Sequence, residues 1–193
     1  MAFTVENVKK ALVLFNDRIQ KNRLYLSELD TPIGDGDHGS NMARGMDAVS
    51  KEKLPEDVSG IFQAVAMKLI STVGGAAGPL YGTAFMSMAQ TVKTTNNVAD
   101  ILAAAVKGIE NIGGAKSGDK TMLDLWVPAV AALRQGKLTK AKITELVEAT
   151  KPLEAHKGRA SYVGKQSIGH IDPGAMSSGY LFESFLEAGV FND

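Results

Sequence analysis

The sequence lacks several residues and patterns: it has no cysteine, one tryptophan and three histidines. Without cysteine the chain cannot form disulfides, use a thiol nucleophile or build a cysteine-ligated zinc site. Its 21 lysines and arginines balance its 21 aspartates and glutamates, whereas proteins that bind nucleic acid generally carry a basic excess. The N-terminus has neither the charged start nor the apolar run of a signal peptide, and no apolar stretch is long enough to span a bilayer. We therefore expect a soluble, cytoplasmic protein that binds neither nucleic acid nor membranes.

The runs of alternating β-branched residues that are typical of strands are also missing. Apolar residues recur instead at helical spacing, for example at Leu12, Phe15 and Ile19. Glycine-rich and polar segments divide this helical pattern into eight predicted helices, and 193 residues are enough to bury one core. The sequence thus predicts an all-α fold, an antiparallel up-and-down bundle or barrel of eight helices, in a single domain over residues 1–193.

Four connections between the predicted helices are rich in glycine and chemically unusual: residues 30–41, 74–79, 113–121 and 158–174. They follow the first, third, fifth and seventh predicted helices. Because successive helices of an up-and-down bundle run antiparallel, alternate connections lie at the same end. Three of the remaining connections are ordinary turns. We therefore expect one functional site at a single end of the bundle.

The first of these loops, DTPIGDGDHGSN at residues 30–41, places three carboxylates close together. Asp30, Asp35 and Asp37 repel one another unless a cation lies between them. Carboxylate oxygens favour Mg²⁺ or Ca²⁺ over zinc, and the intervening glycines permit the tight backbone that would direct them to one point. Residues 38–41 look like a helix start, whose free N–H groups can hold an anion. The loop therefore favours a joint metal and phosphate site.

Two other interpretations of this loop follow from its composition. Aspartate and glycine are common in surface turns, so an inert turn remains an alternative. A calcium loop of the EF-hand kind needs an acidic or amide residue at position 5 and a glutamate at position 12. Counting from Asp35 puts Gly39 and Met46 at those two positions, so the EF-hand pattern fails.

The second and third loops are also compatible with phosphate binding. VGGAAGPLYGT at residues 73–83 has small residues that let a phosphate approach backbone N–H groups, but it fits a tight helix–helix connection equally. GGAKSGDKT at residues 113–121 nearly imitates a Walker A loop, but Asp119 stands where the lysine belongs and no strand precedes it. We reject a P-loop and expect Asp119 to cap the next helix. In that helix we expect Trp126 and Met122 in the core, with Met122 near enough to touch a base.

The fourth loop contains KGRAS at residues 157–161 and SIGHIDPG at residues 167–174. Arg159 offers a planar set of donors suited to phosphate, although a lone arginine is commonly a solvated surface charge. His170 is a candidate acid–base group, with a structural role as the alternative. Asp172, followed by proline and glycine, predicts a turn that starts the final helix.

Together the motifs in these loops resemble a known family. The patterns GDGDHGSNM, GGAAGPLYGT, GDKTM, GRASY and GHIDPGA occur in this order between residues 30 and 175. They are similar to those of the nucleotide-binding L subunits of dihydroxyacetone kinases (DhaL), and the helical remainder fits that family as well. One departure is Ala77, where the family commonly has a serine, so a hydroxyl contact to phosphate would be lost.

The resemblance implies an eight-helix antiparallel barrel with a nucleotide site at one end. It implies that Asp30, Asp35 and Asp37 hold two Mg²⁺ ions that bridge to the nucleotide phosphates. Arg159 would join these carboxylates as a catalytic residue. By the same resemblance, bound ADP would contact or be enclosed by His38, Gly39, Ser40, Asn41, Ala76, Ala77, Gly113, Met122, Arg159, Asp172, Pro173 and Gly174.

The resemblance also implies a reaction that is shared between subunits. ADP would serve as a coenzyme that the M subunit of the phosphoenolpyruvate-dependent phosphotransferase system phosphorylates. The γ-phosphoryl group would then pass to dihydroxyacetone on a K subunit, and the sequence has no segment resembling the K region. Three alternatives remain: an L subunit that exchanges ATP as an ordinary substrate, a nucleotide-dependent coregulator that binds a transcription factor, and a helical scaffold.

Overall fold

The structure, a computed structural model, describes residues 1–192 and is all-helical over that range, as the sequence predicts. Within these residues the α-helices are α1 (Val5–Lys21), α2 (Arg23–Asp30), α3 (His38–Ser50), α4 (Val58–Thr72), α5 (Ala77–Thr91), α6 (Val98–Gly113), α7 (Leu123–Arg134), α8 (Lys140–Glu148) and α9 (Pro173–Glu187). A 3₁₀ helix, Arg159–Ser167, lies between α8 and α9. None of the helices in this range is both long and apolar enough to cross a bilayer.

The predicted count of eight helices was wrong at one point, because the expected first helix is divided into α1 and α2. The break falls at Asn22, whose backbone has φ −105° and ψ 16°. Its side-chain amide donates to the Arg18 carbonyl oxygen at 2.8 Å, and its backbone N–H donates to the same oxygen at 3.0 Å. The remaining seven predicted helices correspond to α3 through α9.

The helices enclose one core because neighbours in sequence pack side by side and the ring closes on itself. Contacts run in chain order from α2 to α9, and both α1 and α2 pack against α9. The apolar face of α1, which includes Phe15 and Ile19, is fully buried. At the centre Trp126 meets Phe182 edge to face, with ring centroids 5.0 Å apart, a geometry that adds about 0.5–1.5 kcal/mol beyond burial.

The helix starts differ in how their free N–H groups are satisfied. Five helices begin with a side chain that accepts a hydrogen bond from the backbone: Thr4, Asp57, Asn97, Thr139 and Asp172. By contrast α3, α5 and α7 have no such bond from their cap residues. The first N–H groups of a helix have no partner inside it, so an uncapped start needs another acceptor. These three helices all begin in the glycine-rich loops.

Candidate functional site

The four glycine-rich loops meet around one open pocket, as their order along the chain predicts. It encloses about 810 Å³ of empty space when the solvent at its mouth is included. Most of the residues that the sequence marks for metal or nucleotide line it: Asp30, Asp35, Asp37, His38, Asn41, Ala76, Ala77, Met122, Arg159, Asp172, Pro173 and Gly174.

The three carboxylates of the first loop converge in this pocket. One oxygen from each of Asp30, Asp35 and Asp37 lies within 4.8 Å of the others. Asp30 is buried, and its Oδ2 accepts hydrogen bonds from the backbone N–H groups of Asp37 at 3.0 Å and His38 at 3.1 Å. The loop therefore folds around the Asp30 side chain, which fixes where the other two carboxylates stand. Three carboxylate oxygens this close form a donor set suited to Mg²⁺ or Ca²⁺.

Glycine is required at two positions for this convergence. A Cβ on Gly34 would lie 2.1 Å from Oδ1 of Asp30, a separation that atoms do not tolerate. Gly36 has φ +73°, a conformation that favours glycine, and a Cβ there would lie 2.9 Å from the Thr31 hydroxyl oxygen. The two glycines of the GDGD sequence therefore let the backbone of the loop pass close to Asp30 and Thr31.

The starts of α3 and α5 lie on the same pocket; α5 supplies free hydrogen-bond donors there, whereas the first N–H of α3 is already bound to Oδ2 of Asp30. His38 begins α3 and Ala77 begins α5, and both residues line the pocket. A helix start carries partial positive charge as well as free N–H groups. The pocket thus combines oxygen ligands for a cation with two helix starts suited to an anion.

Three residues that the sequence marks for nucleotide lie outside the lining of the pocket, as far as residues 1–192 define it: Gly39, Ser40 and Gly113. A Cβ on Gly39 would lie 1.9 Å from the Arg23 carbonyl oxygen, so this glycine lets α3 pack against α2. Ser40 is exposed. A Cβ on Gly113 would lie 3.1 Å from Cδ2 of Leu80, which does line the pocket, so Gly113 leaves room for that wall.

Several lining residues were missed by the sequence analysis. Lys120, Thr121, Lys157 and Tyr81 all contribute to the wall. Tyr81 lies inside the motif GGAAGPLYGT and Lys157 directly precedes the motif GRASY, so their positions in the sequence could have indicated a place at the site. Lys120 and Thr121 lie inside the GDKTM motif as well, but nothing in the sequence indicated that Lys120 is buried, because a lysine in a polar loop is normally expected in solvent.

The third loop is organised by a residue other than the one expected. Asp119 does not cap α7, so that prediction was wrong: its carboxylate accepts from the backbone N–H of Lys116 at 2.9 Å. Asp124, in the first turn of α7, accepts from the N–H of Thr121 at 2.8 Å instead. A carboxylate in that turn also interacts favourably with the positive end of the helix dipole. The folded loop places Met122 against the pocket, buried as the sequence predicts.

A polar network in the core supports the first loop from below. Nε2 of His38 lies 2.9 Å from Oγ of Ser177, and the Tyr81 hydroxyl lies 2.8 Å from the same oxygen. Tyr81 also lies 2.9 Å from Oγ of Ser178, which accepts from the Trp126 indole N–H at 2.9 Å. The network holds the His38 ring in one orientation beside the carboxylates.

The same surroundings decide the charge of His38. Burial lowers the pKa of its imidazole to about 4, and the nearby carboxylates of Asp30 and Asp37 act in the opposite direction without overcoming burial. At neutral pH His38 is therefore an uncharged hydrogen-bonding group.

The last site motif starts the final helix, as predicted. Asp172 is the cap residue of α9 and accepts from the Ala175 N–H at 2.7 Å, and Pro173 occupies the first helical position. Burial raises the pKa of the Asp172 carboxyl to about 7. The Ala175 hydrogen bond and the charge of Lys120 lower it, while Asp124 raises it further.

Arg159 joins the fourth loop to the carboxylate cluster. Its guanidinium donates a hydrogen bond to Asp35, and both residues line the pocket. His170, the candidate acid–base group of this loop, is not among the lining residues within the described part of the chain. The fourth loop therefore contributes charge through Arg159 and Lys157.

Comparison with known proteins identifies the family. The sequence profile of the DAK2 domain matches residues 32–187. The chain belongs to the DAK2-domain family. This DAK2-domain protein is 48% identical over 187 residues to the PTS-dependent dihydroxyacetone kinase, ADP-binding subunit DhaL, of Lactococcus lactis, covering 95% of this chain and 97% of that protein. The resemblance to DhaL is thus confirmed.

Two further relatives agree in length with this DAK2-domain protein. The PEP-dependent dihydroxyacetone kinase 1, ADP-binding subunit DhaL, of Listeria innocua is 46% identical over 91% of this chain and 92% of its own. The corresponding Escherichia coli subunit is 41% identical over 82% of this chain and 85% of its own.

A solved structure shares the fold. The dihydroxyacetone kinase of Citrobacter freundii, in complex with AMP-PNP and Mg²⁺, superposes with a TM-score of 0.78 at 23% identity. The alignment covers 97% of this chain and 35% of that one, so this DAK2-domain protein spans about a third of the longer kinase.

Proposed function

We propose that this DAK2-domain protein is the ADP-binding subunit of a phosphoenolpyruvate-dependent dihydroxyacetone kinase. The observation that carries the proposal is a single pocket in which three carboxylates within 4.8 Å of one another face the uncapped starts of α3 and α5. Ligands for a cation beside donors for an anion suit a metal–nucleotide complex. Relatives matched over nearly their whole length are named ADP-binding subunits, which supports the choice of nucleotide.

Asp30, Asp35 and Asp37 would hold two Mg²⁺ ions. Three carboxylates and ADP bring together about six negative charges, of which two divalent cations offset about four. The ions would neutralise phosphate charge during transfer. Asp30 is the most firmly held of the three carboxylates, because two backbone N–H groups already bind its Oδ2.

The remaining lining residues divide between the phosphates and the rest of the nucleotide. The starts of α3 and α5, together with Arg159, would bind phosphate oxygens. At Ala77 the contact would come from the backbone N–H alone, since alanine has no hydroxyl. Met122, Pro173 and Gly174 would form an apolar wall beside the base and ribose, with the polar Asp172 next to them.

This arrangement needs no nucleophile from the chain itself. Phosphoryl transfer depends mainly on positioning and on charge neutralisation. His38 would act as a neutral hydrogen-bonding group, because burial holds its pKa at about 4 and Ser177 orients its ring. Bound ADP would accept a phosphoryl group from a histidine of the M subunit. The group would then pass to dihydroxyacetone on the K subunit.

A reconstituted reaction tests the proposal. The mixture contains phosphoenolpyruvate, the general phosphotransferase proteins, K and M subunits and dihydroxyacetone, and pyruvate release is followed with and without this chain. We expect turnover only when the chain is present, with its bound ADP and no added ATP. Turnover that requires added ATP and ignores phosphoenolpyruvate would replace the proposal with an ATP-exchanging kinase. No turnover with either donor would contradict it.

A further inference from the structure

Lys120 is a lysine enclosed by carbonyl oxygens. It is 1% exposed, and its Nζ lies close to the backbone oxygens of Ser167 at 2.7 Å, Leu153 at 3.0 Å, Thr150 at 3.1 Å and Lys151 at 3.4 Å. Carbonyl oxygens accept and do not donate, so three contacts within 3.1 Å require three N–H donors. An ammonium has three and a neutral amine has two. The geometry therefore calls for a buried positive charge.

The backbone at this position is strained. Lys120 has φ +58°, and it is the one non-glycine residue with positive φ in the described part of the chain. Gly118 adopts φ +98° nearby, a conformation that costs glycine nothing and costs an L-residue with a side chain more. Strain of this kind persists where surrounding interactions over-determine it, and such positions cluster at functional sites. Here the charge-assisted hydrogen bonds of the ammonium are the compensating interactions.

In the structure the fourth loop is part of the whole connection between α8 and α9, residues 149–172, and the carbonyl oxygens around Lys120 come from near both ends of that connection. Residues 150–153 follow α8, and Ser167 ends the 3₁₀ helix. Further bonds tie the two ends together: the Gly169 N–H donates to the Lys151 carbonyl at 2.7 Å, and the Asp172 N–H donates to Oγ1 of Thr150 at 3.0 Å. The chain between these ends, including Arg159, passes through the pocket wall. Lys120 therefore lies at the base of this connection.

We propose that Lys120 is a positioning residue whose ammonium group clamps the two ends of the connection between α8 and α9 and so holds Arg159 and Asp172 at the pocket. It acts through these residues and has no assigned contact with the reacting atoms. The clamp itself is independent of any ligand, whereas its consequence for ADP binding rests on the proposed function.

The clamp is tested by hydrogen exchange on the Lys120→Gly variant. Glycine relieves the backbone strain at position 120 and deletes the lysine side chain. Free n-butylammonium has the same four-carbon chain and ammonium group, so it can occupy the space that the side chain leaves. We expect exchange in residues 150–172 to quicken by about tenfold or more, because the carbonyl oxygens lose their donor, while residues 23–50 stay unchanged. Added n-butylammonium should restore slow exchange, and equal concentrations of n-butanol or sodium chloride should not. The matched control is Lys116→Gly, which removes an exposed lysine of the same loop.

Two results of that experiment would overturn the clamp. One is unchanged exchange in residues 150–172 of a folded Lys120→Gly protein. The other is an equal acceleration along the whole chain that n-butylammonium does not reverse, since Lys120 would then be an ordinary folding residue.

Ligand titrations measure the consequence for the site. In Lys120→Gly we expect ADP affinity in Mg²⁺ to fall about tenfold and to recover with n-butylammonium. Mn²⁺ binding to the carboxylate cluster without nucleotide should not weaken, because Asp30, Asp35 and Asp37 belong to the first loop and a displaced Arg159 no longer competes for Asp35. Full ADP affinity in a variant whose fourth loop exchanges rapidly would overturn the positioning role. Failure of the unaltered protein to bind ADP would contradict the proposed function instead, and the exchange result would still decide the clamp.

Discussion

The guanidinium of Arg159 donates a hydrogen bond to the carboxylate of Asp35, and this ion pair joins two site loops that are 124 residues apart in sequence. The side chains are 60% and 35% exposed, so the pair contributes little to stability, about 0–1 kcal/mol. Its importance is local. A carboxylate proposed to hold a cation lies beside a guanidinium proposed to hold phosphate, so the two ligands would meet at this point.

Arg159→Ala should change metal and nucleotide binding in opposite directions. Removing the guanidinium leaves Asp35 without a competing positive partner, so Mn²⁺ should bind the nucleotide-free protein up to about threefold more tightly. ADP in Mg²⁺ should bind about tenfold more weakly, because a phosphate donor is lost. Metal binding is followed by electron paramagnetic resonance and ADP binding by calorimetry. Lys165→Ala, an exposed position in the same 3₁₀ helix, is the control, and a parallel fall in both affinities would contradict the prediction.

Asp35→Ala should abolish metal-dependent ADP binding and leave the helical fold intact. The side chain is partly exposed and is one of three clustered carboxylates, so its loss removes a metal ligand without opening the core. The expected loss exceeds the roughly 10–100-fold that removing an outer-shell partner of a metal costs. Circular dichroism checks the fold and calorimetry the affinity. Asp47→Ala removes an exposed carboxylate of α3 and should bind normally. Unchanged ADP affinity in Asp35→Ala would refute the proposed metal site.

Gly34→Ala should disrupt the metal site through a single methyl group. The added Cβ would stand 2.1 Å from Oδ1 of Asp30, so the loop must open and separate the carboxylates. We expect Mn²⁺ affinity to fall by at least about tenfold with little change in melting temperature, since the loop lies outside the core. Gly136→Ala is the control. Gly136 has φ +66°, so an alanine there carries backbone strain, but its Cβ would contact nothing within 4 Å and lies after the C-terminal end of α7. Equal metal affinities for the two variants would count against the steric argument.

Asp172→Asn should alter how stability depends on pH. Burial raises the pKa of Asp172 from 3.8 to about 7, with Asp124 and Asp30 raising it further and Ala175 and Lys120 opposing. Between those pH values the folded protein binds more protons at this carboxyl than the unfolded chain does. Its contribution to stability is therefore present below pH 3.8 and is lost as pH rises to about 7, at up to about 1.4 kcal/mol per pH unit.

Urea unfolding of the metal-free protein from pH 4 to pH 8 measures this dependence. Asparagine keeps the acceptor for the helix cap and cannot ionise, so the stability of the variant relative to the unaltered protein should rise across that range. Other titrating groups are common to both proteins and cancel in the difference. A constant difference would show that burial does not keep Asp172 protonated.

The location of the site followed from simple features of the sequence. Apolar spacing at Leu12, Phe15 and Ile19 is typical of helices, and an alternating bundle brings every second connection to one end. Asp30, Asp35 and Asp37 are close in sequence, so local glycine chemistry was enough to predict that they converge. Asp172 and Pro173 carry the ordinary signals of a helix start, and the structure confirms them.

What the sequence could not provide depends on tertiary contacts. Asn22 breaks a helix whose apolar pattern continues past it to Leu26, so periodicity gave no sign of the break. Lys120 has its carbonyl partners between 30 and 47 residues away, and His38 meets Ser177 across 139 residues. Such pairings arise only when the ring of helices closes.

The most direct measurement is the identity of the nucleotide that the purified protein retains. The protein is desalted extensively with or without EDTA, denatured, and the released nucleotide is analysed by ion-pair chromatography and mass. We predict near-stoichiometric ADP from the untreated protein and its loss after EDTA, because cations at Asp30, Asp35 and Asp37 would hold the phosphates. ADP that stays bound after EDTA, or no ADP binding even in titrations with Mg²⁺, would contradict it.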